Sequence, residues 1–268
     1  MTKTNIKELS IQVKLSGLSF CILNRTSNTI EHLYTIDFDK KLTPFEVLNQ
    51  LKAELSSNTI YSEEFSAVQV IHHNGLSTIV PKPLYNEDHS ADYLKFNSKI
   101  LKTDFISEDE ININESVNVY VPYVNINNYI FETFGEFVYK HSSTILIDTI
   151  LQRHLKHESI DLHLNVNSNT FELIVTDNGA LTLYNTFEYQ TVEDFAYYTL
   201  FSIEQLQLDP ETVNVSVTGT INEDDEKYKV LYKYLRHISI EDVPSRFDFD
   251  PNINPEDIQS HLILLNSF

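Results

Sequence analysis

The chain has 268 residues, 39 of them Asp or Glu against 19 Lys or Arg, for a formal net charge of −20 with histidines neutral. A surface this acidic repels phosphate backbones and anionic headgroups, which excludes non-specific nucleic-acid or membrane-surface binding as a role. The hydrophobic fraction of 41%, with 15 Tyr and 16 Phe, supplies a full core, and no run approaches the roughly 18 apolar residues of a membrane span.

Glu8 to Leu15 alternates apolar Leu9, Ile11, Val13 and Leu15 with polar Ser10, Gln12 and Lys14, the period of a strand with one buried face. Ser16-Gly17 marks a tight turn, and Leu18 to Leu23 is the returning strand of a hairpin. Ile30 to Asp37 is a third strand. Thr43 precedes Pro44 with Glu46 in capping-box position, so a helix starts there, with Phe45, Leu48, Leu51 and Leu55 on one face. Ala67 to His72 is a fourth strand. Beyond it come a Pro-containing segment (Val80 to Tyr85), a helix around Asp88 to Phe96, an acidic loop (Thr103 to Glu115), a strand (Val117 to Val121) and a helix (Thr144 to Leu155).

The same order then returns about 150 residues further on. Ile160 to Asn167 alternates, Ser168-Asn169 turns, Phe171 to Thr176 runs back, and Asn178-Gly179 turns again into a strand from Ala180 to Tyr189. Thr191 with Asp194 caps a helix running to about Leu208, and Val213 to Val217 closes the unit at Thr218-Gly219-Thr220. Asp224 to Leu235 is a further helix, followed by a Pro- and Asp-rich loop and the apolar tail His261 to Leu265, expected to be a final core element. The architecture expected is α/β, with lobes at 1–142 and 143–268.

Charge divides unevenly between the halves. Met1 to Lys140 carries 12 basic and 18 acidic residues, and His141 to Phe268 carries 7 and 21, so the second half holds a net of −14. Between Lys156 and Lys227 lie 70 residues with 14 Asp or Glu and no Lys or Arg. A phosphate site built there would need backbone amides or a metal.

A β-β-β-α-β unit present twice resembles the actin, heat-shock-70 and hexokinase superfold of two ribonuclease-H-like lobes. The run Leu9-Ser10-Ile11-Gln12-Val13-Lys14-Leu15-Ser16-Gly17-Leu18-Ser19-Phe20 is similar to the start of a bacterial family, domain-of-unknown-function family 3822. Gly135-Glu136-Phe137-Val138-Tyr139-Lys140-His141-Ser142-Ser143-Thr144 resembles a second segment of it. The resemblance implies an actin-like ATPase fold with no established activity. In active members of the superfold, an Asp before a Gly-containing turn holds metal-bound water while the turn amides cradle phosphate. Here the first turn, Lys14-Leu15-Ser16-Gly17, keeps the Gly and lacks the Asp; the second, Asn165-Val166-Asn167-Ser168-Asn169, has neither. The Gly-Gly pair expected after the second lobe's fourth strand is reduced to Gly219. Ser16, Gly17, Gly219 and Thr220 are the residues left to line an interlobe nucleotide cleft.

Other constellations point to bland roles. His154, His157, Asp161 and His163 fall within ten residues, but His163 lies on a strand and the other histidines at a helix end, so no shared metal is expected. His72-His73 and His141 beside Ser142-Ser143 have no third group fixed by the sequence, and no catalytic residue is expected among them. Cys21, the single cysteine, sits in an apolar strand. A ribonuclease-H-type nuclease would need carboxylates mid-strand, where Gln12, Lys14, His163 and Asn165 stand. The expectation is therefore a cytoplasmic pseudoenzyme with a degenerate nucleotide site and no cofactor, serving as a binding or scaffolding module. Its partner would be a protein, basic if the acidic lobe is the docking face, and not nucleic acid or membrane. The alternative is an atypical Mg-ATP binder or weak ATPase.

Overall fold

The structure is a computed structural model, which describes residues 5–96, 98–243 and 246–268. In chain order the strands and helices are β1 (Lys7–Lys14), β2 (Gly17–Asn24), β3 (Thr29–Asp37), α1 (Pro44–Ser57), β4 (Ala67–His73), β5 (Ser77–Pro81), α2 (Ser90–Lys95), β6 (Ser107–Ile111), β7 (Ser116–Tyr120), α3 (Val124–Phe134), β8 (Val138–His141) and α4 (Ser142–His154). They continue with β9 (Ile160–Val166), β10 (Thr170–Asp177), β11 (Ala180–Glu188), α5 (Val192–Gln205), β12 (Asn214–Gly219), α6 (Glu226–Tyr232), β13 (His237–Ile240), β14 (Asp248–Phe249), α7 (Pro255–Ser260) and α8 (Leu262–Leu265). The chain forms two compact units, one of Met1–Leu146, Ser245–Asn254 and Ile263–Phe268, the other of Ile147–Pro244 and Pro255–Leu262.

The first unit holds a six-stranded sheet in the order β14-β3-β2-β1-β4-β8. The β1–β2 and β2–β3 pairs are antiparallel, and β1–β4 and β4–β8 are parallel. Leu9, Ile11 and Val13 of β1 meet Phe20, Val47, Leu51, Val70, Ile126 and Ile130 in one core, beneath α1 and α3. The alternation predicted for β1 is present, but Ser10 and Gln12 are buried as well. The face of β1 that carries them is covered too, with Ser10 Oγ 2.7 Å from Ser267 Oγ of the C-terminal segment. On α1 the buried positions are Val47, Leu51 and Leu55, whereas Phe45, expected on that face, is 69% exposed. At about 100° per residue Phe45 lies nearly opposite Val47 around the helix and so off the buried stripe of Val47, Leu51 and Leu55.

The predicted cap of α1 is in place. Glu46 N–H donates to Thr43 Oγ1 at 3.3 Å, and Thr43 N–H donates to Glu46 Oε2 at 2.8 Å. Thr43→Ala is expected to lower stability by about 1 kcal/mol, read from the urea midpoint.

The segment expected to be an acidic loop contains β6, a correction to the sequence reading. Its residues Ser107 to Ile111 pair antiparallel with β7, which in turn pairs with β5 in a separate three-stranded sheet. Charged residues on an edge strand hide its pairing from a hydrophobicity pattern. Asp109 explains part of it: its carboxylate accepts from His141 N–H (2.8 Å), Thr144 Oγ1 (2.7 Å) and Tyr120 OH (3.1 Å). Residues 122–141, left unassigned by the sequence, supply α3 and β8, and the Pro- and Asp-rich segment adds β14 beside β3.

The second unit repeats the arrangement. Its sheet order is β11-β10-β9-β12-β13, with β9–β10 and β10–β11 antiparallel and β9–β12 and β12–β13 parallel. This is the order β3-β2-β1-β4-β8 again, with α5 in the place of α1. Leu162, Leu164, Phe171, Leu173, Val215 and Val217 form the core with Phe195 and Ile203 of α5 and Leu231 of α6. The other face of the same strands is buried and polar: Asp161, His163, Asn165, Glu172, Thr176, Ser216 and Thr218. The C-terminal run Leu262 to Leu265, of which Ile263 onward belongs to the first unit, is buried, as expected of a core element.

Candidate functional site

The two hairpin turns are where nucleotide chemistry would reside in this fold, and each is built by its own unit. In the first, Leu15 and Ser16 form the turn and Gly17 opens β2. Leu15 and Ser16 offer carbonyls that Leu42 N–H and Phe38 N–H take up, each at 2.8 Å. Gly17 lies against the end of β3, where an added Cβ would stand 2.5 Å from Ile36 O and 3.3 Å from Asp37 Oδ1. The small residue at this point therefore serves strand packing.

In the second unit the β9–β10 turn is tied down by side chains. Glu172 is 2% exposed and accepts from Asn165 Nδ2 (3.0 Å) and Asn167 Nδ2 (3.1 Å), one amide from each side of Val166. Tyr189 OH donates to Asn167 O, and Tyr189 N–H donates to Asn169 O. At the end of β12, Gly219 has φ +97°. A Cβ there would fall on the Val166 carbonyl oxygen and 2.8 Å from Val166 N. Thr220 donates to that same carbonyl from N–H (2.8 Å) and Oγ1 (3.2 Å). Gly219 and Thr220 thus clamp the β9–β10 turn, while Ser16 and Gly17 belong to the other unit.

His72, His141 and His163 are buried and hydrogen-bonded within the protein. His141 Nδ1 accepts from Ser143 N–H (3.2 Å), which sets the tautomer: Nε2–H donates to Asn74 O (3.1 Å). Ser143 Oγ, 2.7 Å from His141 Nδ1, resembles a nucleophile–base pair, but both residues are buried and Ser143 Oγ also accepts from Asn118 Nδ2. His72 Nδ1 accepts from Tyr123 N–H, and its Nε2–H donates to Asn127 Oδ1 at 2.9 Å. His163 is bracketed by Ser216 Oγ and Thr218 Oγ1 at 2.8 and 3.0 Å. Burial pushes His72 down to about 4 and His141 and His163 down to about 3. Burial alone pushes the Cys21 thiol far up, and Cys21 lies fully inside β2.

His163 is engaged by Ser216 and Thr218 and is not one of the three groups of its sequence cluster whose ligand atoms meet. His154, at the end of α4, and His157 instead meet Asp161 of β9, and ligand atoms of the three lie within 4.8 Å of one another. No periodicity signals this juxtaposition or the grip of Glu172 on the turn asparagines. The only signal for the latter is the row of polar residues at alternate positions, which reads equally well as a solvent-facing side.

The family model described as "Protein of unknown function (DUF3822)" matches residues 1–238. The chain belongs to that family. No curated protein matches the sequence significantly. Among solved structures, a protein with actin-like ATPase fold and unknown function from Bacteroides thetaiotaomicron is 22% identical, with a TM-score of 0.79 over 90% of this chain and 92% of that one. The PilM-PilN type IV pilus biogenesis complex gives 12% identity and a TM-score of 0.64 over 98% and 97%. The ethanolamine utilization protein EutJ from Carboxydothermus hydrogenoformans gives 8% and 0.50 over 97% and 88%.

These likenesses establish the actin-like ATPase fold expected from the duplicated unit, and the repeated strand order is its internal signature. Among the described residues no helix is long and apolar enough to cross a membrane.

Proposed function

We propose that this family member is a non-catalytic binding or scaffolding module, in which the actin-like fold has been kept and its nucleotide site has degenerated. The observation that carries this reading is the occupation of the glycine space. A Cβ at Gly219 would meet the backbone of Val166 and one at Gly17 would meet Ile36 O, so strand packing alone accounts for both glycines. The residues present do not fit Mg-ATP in the manner of the superfold, because neither turn has a carboxylate to hold metal-bound water. Such a fold is compatible with protein binding, since one of its holders was solved as a PilM-PilN complex. The acidic second half makes a basic protein segment the partner of matching charge.

Calorimetry and thermal shift with Mg-ATP test this reading. No binding heat and no shift at about millimolar nucleotide are expected. Micromolar binding would overturn the proposal in favour of an atypical ATP binder using Ser16, Gly17, Gly219 and Thr220.

A further inference from the structure

The cluster at the start of β9 is independent of the nucleotide question. His154 ends α4, His157 lies in the connection that follows, and Asp161 is the second residue of β9. His157 Nδ1 stands 3.1 Å from Asp161 Oδ2, and His154 Nδ1 stands 3.8 Å from the same oxygen. The second distance is too long for a hydrogen bond. A tetrahedral zinc ion with bonds near 2.0–2.2 Å separates its ligand atoms by about 3.3–3.6 Å, so the two observed distances bracket the edge of such a site.

The surroundings orient the three groups. Asn214 Nδ2 donates to Asp161 Oδ1 (3.1 Å) and Ser159 Oγ to Oδ2 (3.0 Å), outer bonds that hold a ligating carboxylate in place. His154 Nδ1 is 3.1 Å from Thr176 Oγ1, a contact that coordination through this nitrogen would replace. The imidazoles of His154 and His157 stack at 4.7 Å between centroids and 13° between planes, so one ring must turn about its Cβ–Cγ bond for both to aim a nitrogen lone pair at a single ion. His154 and Asp161 are buried, while His157 is about half exposed and opens onto a depression of about 800 Å³ that Glu241 and His237 also line. A cation can enter from that side. The guanidinium of Arg153 is turned toward Glu241 at 3.5 Å.

We propose that His154, His157 and Asp161 bind one divalent transition-metal ion, with zinc matching the two-nitrogen, one-carboxylate donor set and a further position open to the depression. The ion would pin the end of α4 to the first turn of β9. Binding replaces the His157 Nδ1 contact to Asp161 by a bond from each to the ion, and a neutral ring then carries its one proton on Nε2, with no net proton released.

The test is a zinc titration of the tag-free, chelator-treated full chain, in competition with a chromophoric chelator and followed by thermal shift. One zinc per chain and a raised melting temperature are expected. His157→Ala changes a half-exposed side chain and leaves the core intact, so a folded variant with affinity reduced more than about tenfold is expected, and Asp161→Asn should behave likewise. Absence of stoichiometric binding overturns the proposal. So does one-to-one binding that persists unchanged in folded His157→Ala, since it would place the ion elsewhere.

Discussion

Gly219→Ala is expected to destabilise the protein by on the order of 4 kcal/mol, seen as a large fall in the urea midpoint. Two costs add. The residue sits at φ +97°, where a side chain is strained, and its Cβ would collide with the backbone of Val166 on the neighbouring strand. Backbone cannot rotate aside as a side-chain tip does, so β12 must move away from β9, and the two donations of Thr220 to Val166 O are lost with the register. A domain of this kind has a margin of about 5–15 kcal/mol, so the variant should approach the limit of folding. Gly75→Ala is the internal control: no atom lies within 4 Å of its added Cβ, and a change within about 0.5 kcal/mol is expected. If Gly219→Ala proved as stable as Gly75→Ala, the glycine would not be serving strand packing, and its availability to a ligand would return.

The second large effect is acid lability above the carboxylate range. His72, His141 and His163 are buried with folded pKa values of about 4, 3 and 3, lowered first by burial. The proximity of His72 adds to the shift of His141, and Arg153 and His154 add to that of His163. Unfolded, each would titrate near 6.5, so the unfolded chain binds more protons and stability falls as pH drops below that value. At about pH 5 each ring costs about 2 kcal/mol, and three together cost about 6 kcal/mol. Asp109 acts in the opposite sense, because burial raises its carboxyl and the native state gains as it protonates. Urea midpoints should therefore decline steadily from about pH 7 to about pH 5. A flat profile over that window would show that these rings are already hydrated or charged in the native state.

Much of the fold was legible because local rules and the hydrophobic pattern agree. The caps at Thr43 and Thr191 are both observed, and the β-β-β-α-β unit is found in each half with the same strand order. Where the pattern misled, a neighbour decided. Phe45 is apolar yet exposed, Ser10 and Gln12 are polar yet buried, and the charged run around Asp109 pairs as a strand because β7, His141 and Thr144 supply its partners. The candidate nucleotide residues were readable as positions in the superfold, but not as environments.

By itself the sequence determined the duplicated α/β architecture, the acidic balance, and the loss of both turn acids, since periodicity, charge and residue type are properties of the chain alone. Only the tertiary structure decided that Val166 fills the space beside Gly219, that Glu172 holds Asn165 and Asn167, and that Asp161 rather than His163 joins His154 and His157. Each of these depends on which strand lies beside which and on the direction a side chain takes from it. Asp161 and His163 share one face of β9, about 6–7 Å apart along the strand, so residue type and face could not choose between them, and the packing of the α4 end beside Asp161 did.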